Sequence, residues 1–197
     1  MKKHTGFTLI ELMITLAVLA IMFTVGLPKM SIFFKSNRMV TNTNDLLAGL
    51  NIARSEAIKV GGRVTICKSA NAGSASPACT TTGGWEQGWF VFVDSDSTKG
   101  SYSSANDGAV LRVNSGASGS EVTITVPSTD NIGNFVSFTS RGVPKASNGA
   151  SQSGVFQICD DRGLKNASGN VVARGIVLGA SGRVRTTRDE TQIGACP

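Results

Sequence analysis

The chain opens on an almost unbroken apolar run, GFTLIELMITLAVLAIMFTVGLP from Gly6 to Pro28, with one carboxylate, Glu11, set inside it. About 20 apolar residues at 1.5 Å rise are enough to cross a bilayer as a helix, so the run reads as a membrane span. Past Pro28 the spacing stays helical: Val40, Leu46, Leu47, Leu50, Ala53, Ala57 and Ile58 recur near one face. Arg54, Glu56 and Lys59 fall on outward positions. Gly61 and Gly62 end the segment, since a helix closes readily on a glycine. Gly26 and Pro28 are expected to bend the helix, because proline lacks a backbone donor and crowds the preceding turn.

After residue 62 the period becomes two. Strands are expected at Arg63–Cys67, within Trp85–Val93, and at Ala109–Val113, Val122–Val126, Phe135–Thr139 and Gly154–Cys159. A last one over Val171–Val184 should break at Gly175 or Gly179. An all-antiparallel sheet lying on one long helix satisfies this order, the helix covering one face while the other meets solvent. The fold class is α+β.

Composition supports the β reading: 23 glycines and only 16% charged residues suit a turn-rich domain. The formal charge of +6 permits contact with a polyanion without requiring it. The four cysteines allow three disulfide pairings. Cys67 with Cys79 and Cys159 with Cys196 are favoured, since the first pair brackets a loop of Ser, Ala, Gly and Pro. Zinc is disfavoured, because no two cysteines stand in a CxxC pair.

Lys2, Lys3 and His4 precede the apolar run as in a secretory signal. The small residue that should follow the apolar core instead precedes it, as Gly6, and a cut there keeps the hydrophobic segment. A basic leader, Gly6, Phe7, Thr-Leu-Ile-Glu11 and then a helix resemble the type III signal of type IV prepilins and pseudopilins. The resemblance implies that a prepilin peptidase cuts between Gly6 and Phe7 and methylates the new amine, and that Glu11 pairs with such an amine of a neighbouring subunit. An unpartnered carboxylate in hydrocarbon costs roughly 2.5 kcal/mol or more, which is why Glu11 needs that partner. The implied organisation is a leader (1–6), a membrane and later fibre-core helix (7–28), its amphipathic continuation (29–61), and a periplasmic β-rich domain (62–197). The chain would sit once across the inner membrane and afterwards in a pilus fibre, with other minor and major pilins as partners.

Two further stretches carry a narrower resemblance. Ala53–Ile58 (ARSEAI) followed by RVTIC from Arg63, and GWEQGWFVFVDSDSTKG from Gly84 to Gly100, are similar to the helix–strand junction and the Trp-x-x-Gly-Trp-x-Val-Phe-x-Asp signature of the GspH/FimT/FimU family of minor pilins and pseudopilins. Trp85 and Trp89 read as core or turn anchors. Asp94 and Asp96 lead into a turn, and Asp107-Gly108 closes the next. Counted as an EF-hand from Asp94, the loop wants Gly sixth and Glu twelfth but has Lys99 and Ala105. An Asp-stabilised hairpin turn is therefore expected, and no metal.

The only histidine, His4, lies in the expected leader, and no glycine-rich phosphate loop opens a helix. No catalytic residue and no cofactor are expected. The tail SGRVRTTRDETQIGACP, from Ser181, offers cations instead. If it is extended, Arg183 and Arg185 share a face, with Arg188 close and Arg174 approaching, a set suited to phosphate. Gly182-Arg183-Val184-Arg185 resembles the GRxR motif of FimT-type minor pilins, which bind DNA during natural transformation. Three phosphate contacts give a salt slope of only about −2.7, and Asp189 and Glu190 offset part of the charge. The late cysteine pair and the Ala-Cys-Pro ending resemble the FimU-like pattern. The expected function is that of a structural minor pilin in type IV pilus assembly, in a tip or priming complex. The alternatives are DNA capture through the arginines, or a GspH-like role in type II secretion.

Overall fold

A computed structural model describes residues 6–96, 98–116 and 121–196; the side chains of residues 25–29 also lie outside the description. The leader residues before Gly6 and the bend expected at Gly26 and Pro28 fall among these undescribed positions. The chain divides into two compact units, one ending at Asn37 and one beginning at Arg38.

Helix α1 runs from Leu9 to Val60 and belongs to both. In the first unit the Thr8 hydroxyl accepts from the Glu11 amide at 3.3 Å and so caps the helix start. Thr15 and Thr24 donate their hydroxyls to the carbonyls of Leu12 and Ile21, both at 2.9 Å, which satisfies polar groups inside an apolar run. Large apolar side chains stand exposed from Phe7 to Phe23 and from Met30 to Phe34, Phe7 at 80%. Among the described residues no helix is long and apolar enough to cross a membrane. The helical backbone itself continues through the apolar run and beyond it, from Leu9 to Val60.

In the second unit the helix buries a stripe of Met39, Thr43, Leu46, Leu50, Ala53 and Ala57 at alternating steps of four and three. This face is rotated from the expected one. Val40 and Leu47 lie at its rim, and Ile58 is 52% exposed. Thr43 joins the stripe because its hydroxyl donates to the Met39 carbonyl at 2.6 Å and leaves a methyl for packing. Gly49 lets the helix approach the sheet: a β-carbon there would lie 2.5 Å from the Trp89 ring. The helix ends where Gly61 turns to φ +64.

The β-rich part forms two four-stranded antiparallel sheets rather than the single sheet expected. One is ordered β3-β2-β1-β5, from β1 (Val64–Lys68), β2 (Trp89–Val93), β3 (Val110–Asn114) and β5 (Phe135–Phe138). The other is ordered β4-β6-β7-β8, from β4 (Thr123–Thr125), β6 (Gly154–Cys159), β7 (Arg174–Leu178) and β8 (Val184–Thr187). Ile66 lies opposite Val91 on one side and Val136 on the other; Phe156 lies opposite Ile176. These side chains meet Leu46, Leu50 and Ala53 of the helix in one core.

Side chains help complete the edges of β5 and β4, and on β5 the Lys145 amide also donates to the Ser137 carbonyl at 2.8 Å. Fully buried Gln152 accepts from the Ser137 amide at 2.9 Å and donates to the Phe135 carbonyl at 2.8 Å. Glu86 accepts from the Ile124 amide of β4 at 2.9 Å. These bonds satisfy backbone groups on the outer edges of β5 and β4, each an end strand of its own sheet. Two further features differ from expectation: Trp85–Gln87 is a 3-10 turn ahead of β2, and a short helix α2 (Glu190–Ile193) follows β8. The last run breaks at Gly179, one of the two glycines expected, in the turn Gly179–Gly182, while Gly175 lies inside β7.

Cys67 is bonded to Cys79 and Cys159 to Cys196, with Cα–Cα distances of 5.6 and 5.9 Å, the favoured pairing. The first fastens a loop of 12 residues and the second the C-terminal tail, 37 residues on from β6.

Candidate functional site

Gly6 and Phe7 lie ahead of the helix, and Glu11 falls in its first turn. All three are exposed, so the expected cleavage point and the assembly carboxylate are accessible on the isolated chain.

The C-terminal arginines are tied into the fold around them. Gly182 is the fourth residue of a tight turn in which the Gly179 amide donates to the Arg183 carbonyl at 2.9 Å and the Gly182 amide to the Gly179 carbonyl at 2.8 Å. Its φ is +80, and a β-carbon on it would lie 2.0 Å from the Gly142 carbonyl oxygen. The glycine of the GRVR run is thus demanded by the fold. Beyond it Arg183, just ahead of β8, and Arg185, within it, are exposed two residues apart, while Val184 between them packs against the core. Arg185 is not free: its Nη2 donates to Gln192 Oε1 of α2 at 2.9 Å. Arg188 stands near Arg174 instead, whose pKa is pushed down first by burial and then by that second guanidinium. Arg54, expected outward, is half-buried with its Nε against both Gly142 and Gly182.

Helix α2 fixes this arrangement. The Asp189 carboxylate caps it, accepting from the Thr191 amide at 2.9 Å and the Thr191 hydroxyl at 2.7 Å. Those bonds, the hydroxyl's foremost, hold the Asp189 carboxyl below the usual carboxylate range. Lys165 pairs with Glu190, and Gln157 donates to the Ile193 carbonyl. The two acidic residues expected to offset the arginines are therefore engaged in tail structure.

Three aspartates do converge. Asp94, Asp96 and Asp107 flank the β2–β3 loop, and their carboxylates brace it: Asp107 accepts from the amides of Ser95 at 2.9 Å and Ser103 at 2.8 Å, and Asp96 from Thr98 at 2.7 Å. The Asp-stabilised turn is present. A count along the loop misses Asp107, because it returns from the far side of the hairpin.

Lys68 lines a cleft of about 330 Å³ with Glu86, Thr123, Thr125 and Asn134. Burial lowers its pKa while Glu86 opposes the shift, and its Nζ donates to the Gly83 carbonyl at 2.8 Å.

A helix that exposes its apolar side chains over the first part and packs its second part on antiparallel sheets defines a pilin-like subunit. The chain belongs to the GspH family: the family model for type II transport protein GspH matches residues 42–182, and that for the prokaryotic N-terminal methylation motif matches residues 1–27. Among solved structures it is similar to the type IV minor pilin FimU of Pseudomonas aeruginosa in a P21 crystal, at 20% identity and a TM-score of 0.53. That match covers 79% of this chain and 92% of the other. A P65 crystal of the same protein gives 20% identity, coverage of 73% and 88%, and a TM-score of 0.48. At that identity the likeness in the P21 crystal is one of fold. No curated protein matches by sequence.

Proposed function

We propose that the chain is a structural minor pilin. Residues 7–28 hold it in the inner membrane with its β-rich domain in the periplasm. Prepilin peptidase cuts between Gly6 and Phe7 and methylates the new amine, and the mature chain joins other minor and major pilins in the complex that primes a type IV pilus at its tip. The observation that carries this reading is the exposure of apolar side chains along the first part of α1. Such a surface needs lipid or other helices, and in lipid the association of helices rests on packing and paired polar groups. Glu11 is the polar group in question: paired with the methylated amine of a neighbour, it loses the cost of an isolated charge in an apolar core. The mechanism is assembly, not catalysis.

Deletion of the chain from its host, with surface pili counted and secreted proteins measured, tests this. Pili should fall with secretion intact; intact pili with lost secretion would assign the chain to type II secretion instead. DNA capture through Arg183, Arg185 and Arg188 has weaker support, since Arg185 is held by Gln192 and the glycine of the GRVR run is demanded by the turn. Changing Arg183 and Arg185 to Gln should leave DNA retention unaltered. Loss of retention with piliation intact would favour the DNA reading.

A further inference from the structure

The β2–β3 loop gathers oxygens that pilus assembly does not use. Asp94 follows directly on β2, Asp96 stands two residues on, and Asp107 returns just before β3. One carboxylate oxygen from each lies within 4.8 Å of the others. Several of these carboxylate oxygens already have partners. Asp94 Oδ2 accepts from the Thr65 hydroxyl at 2.6 Å and the Gly100 amide at 3.0 Å. The remaining oxygen of that residue, Asp94 Oδ1, is buried and makes no hydrogen bond, in a residue only 2% exposed.

A carboxylate oxygen buried without a hydrogen bond is costly, so its surroundings matter. The cation near Asp94 Oδ1 is Lys99 Nζ, at 3.4 Å. That ammonium also donates to the main-chain carbonyls of Asp94, at 3.2 Å, and of Asp96. Carboxylate and carbonyl oxygens are thus already arranged around a positive charge. Three carboxylates against one ammonium leave an excess of two negative charges.

We propose that this loop is a calcium site, in which Asp94 Oδ1 and the carboxylates of Asp96 and Asp107 bind the ion, together with main-chain carbonyl oxygen from Asp94 or Asp96. Four features favour Ca²⁺. The donors are all oxygen, which selects hard cations over zinc or copper. An irregular loop that mixes carboxylate and carbonyl oxygens suits the adaptable shell of Ca²⁺ better than the strict octahedron of Mg²⁺. The excess is two negative charges with Lys99 in place and three once it withdraws, so the pocket attracts a divalent cation in either state. Lys99 is partly exposed on a flexible stem, so its ammonium can move to solvent as the ion enters. Competition from Lys99 makes the site a weak one, with a dissociation constant of about 10⁻⁴ to 10⁻³ M, the range of extracellular calcium modules. The site does not depend on which assembly the chain serves.

The test is thermal unfolding of the full-length chain in non-ionic detergent, stripped with EDTA and titrated with CaCl₂, against NaCl of matched ionic strength. The midpoint should rise with Ca²⁺ and level off as binding to the folded state saturates, with Mg²⁺ less effective. Asp96→Asn keeps an oxygen that can accept from the Thr98 amide, and it should weaken the Ca²⁺ response about tenfold, since affinity follows ligand charge. Lys99→Met should strengthen it by about as much, and serves alone if the first variant does not fold. No calcium-specific rise in the unaltered chain overturns the proposal, as does an unchanged response in Lys99→Met. A response confined to Lys99→Met would make the ammonium the resident cation and would overturn it too.

Discussion

Between Leu9 and Phe34, α1 leaves its described large apolar side chains in the open; between Met39 and Ala57 the same helix buries a single stripe against two sheets. The first stretch is apolar nearly all round and finds no sheet in its own unit. The second alternates apolar with polar positions and supplies one wall of a core. Helix formation needs only the backbone ladder and tolerates either pattern. Whether a residue stabilises the fold or serves as a surface for other molecules is decided by what lies opposite it.

The sharpest way to break this contrast is a pair of truncations. Leu50→Ala should lower the stability of the second unit by about 2–5 kcal/mol, the range for emptying a packed site. Leu16→Ala should leave its denaturation midpoint unchanged; equal losses would contradict the division. Next come the disulfides, which belong to the second unit alone. On the loop-entropy model, Cys159→Ser with Cys196→Ser should cost about 4 kcal/mol and Cys67→Ser with Cys79→Ser about 3 kcal/mol, read by urea denaturation. An inverted order would show that strain or residual structure outweighs loop length. Gln152→Leu should cost about 1–3 kcal/mol, because it leaves edge groups of β5 buried and unpaired. A neutral result would mean that the sheet edges do not need that side chain.

The smallest effect concerns the tail. Asp189 has its folded pKa depressed, so its contribution is present above the unfolded carboxylate value and is lost as pH falls through the lower folded one. The Thr191 amide shift, followed by NMR, should therefore titrate below the usual carboxylate range. A midpoint at or above that range would remove the cap.

What could be read from the chain beforehand was local. The helical spacing from Val40 on, the stop at Gly61, and the alternation in Arg63–Cys67 and Gly154–Cys159 each depend on neighbours a few residues away. The helix phase was read slightly off because Thr43, polar by type, hides its hydroxyl in the helix backbone. The division into two sheets was not legible, since strand order and the edge bonds of Gln152 to Ser137 and Glu86 to Ile124 join residues far apart in the chain. Helix α2 has only four residues, too few for a period. The spacing of the arginines did not show that Arg185 reaches Gln192 of the tail, and the aspartate cluster forms because a hairpin returns Asp107 to Asp94.

If the first part of α1 serves assembly while the second part holds the fold, a change at Glu11 should separate the two. The most direct measurement is on Glu11→Leu, with the chain quantified in sheared fibres and in membranes and the thermal midpoint of its domain followed alongside. Loss from the fibre fraction, retention in the membrane and an unchanged midpoint are expected. Undiminished entry into fibres would contradict the assembly role of that segment.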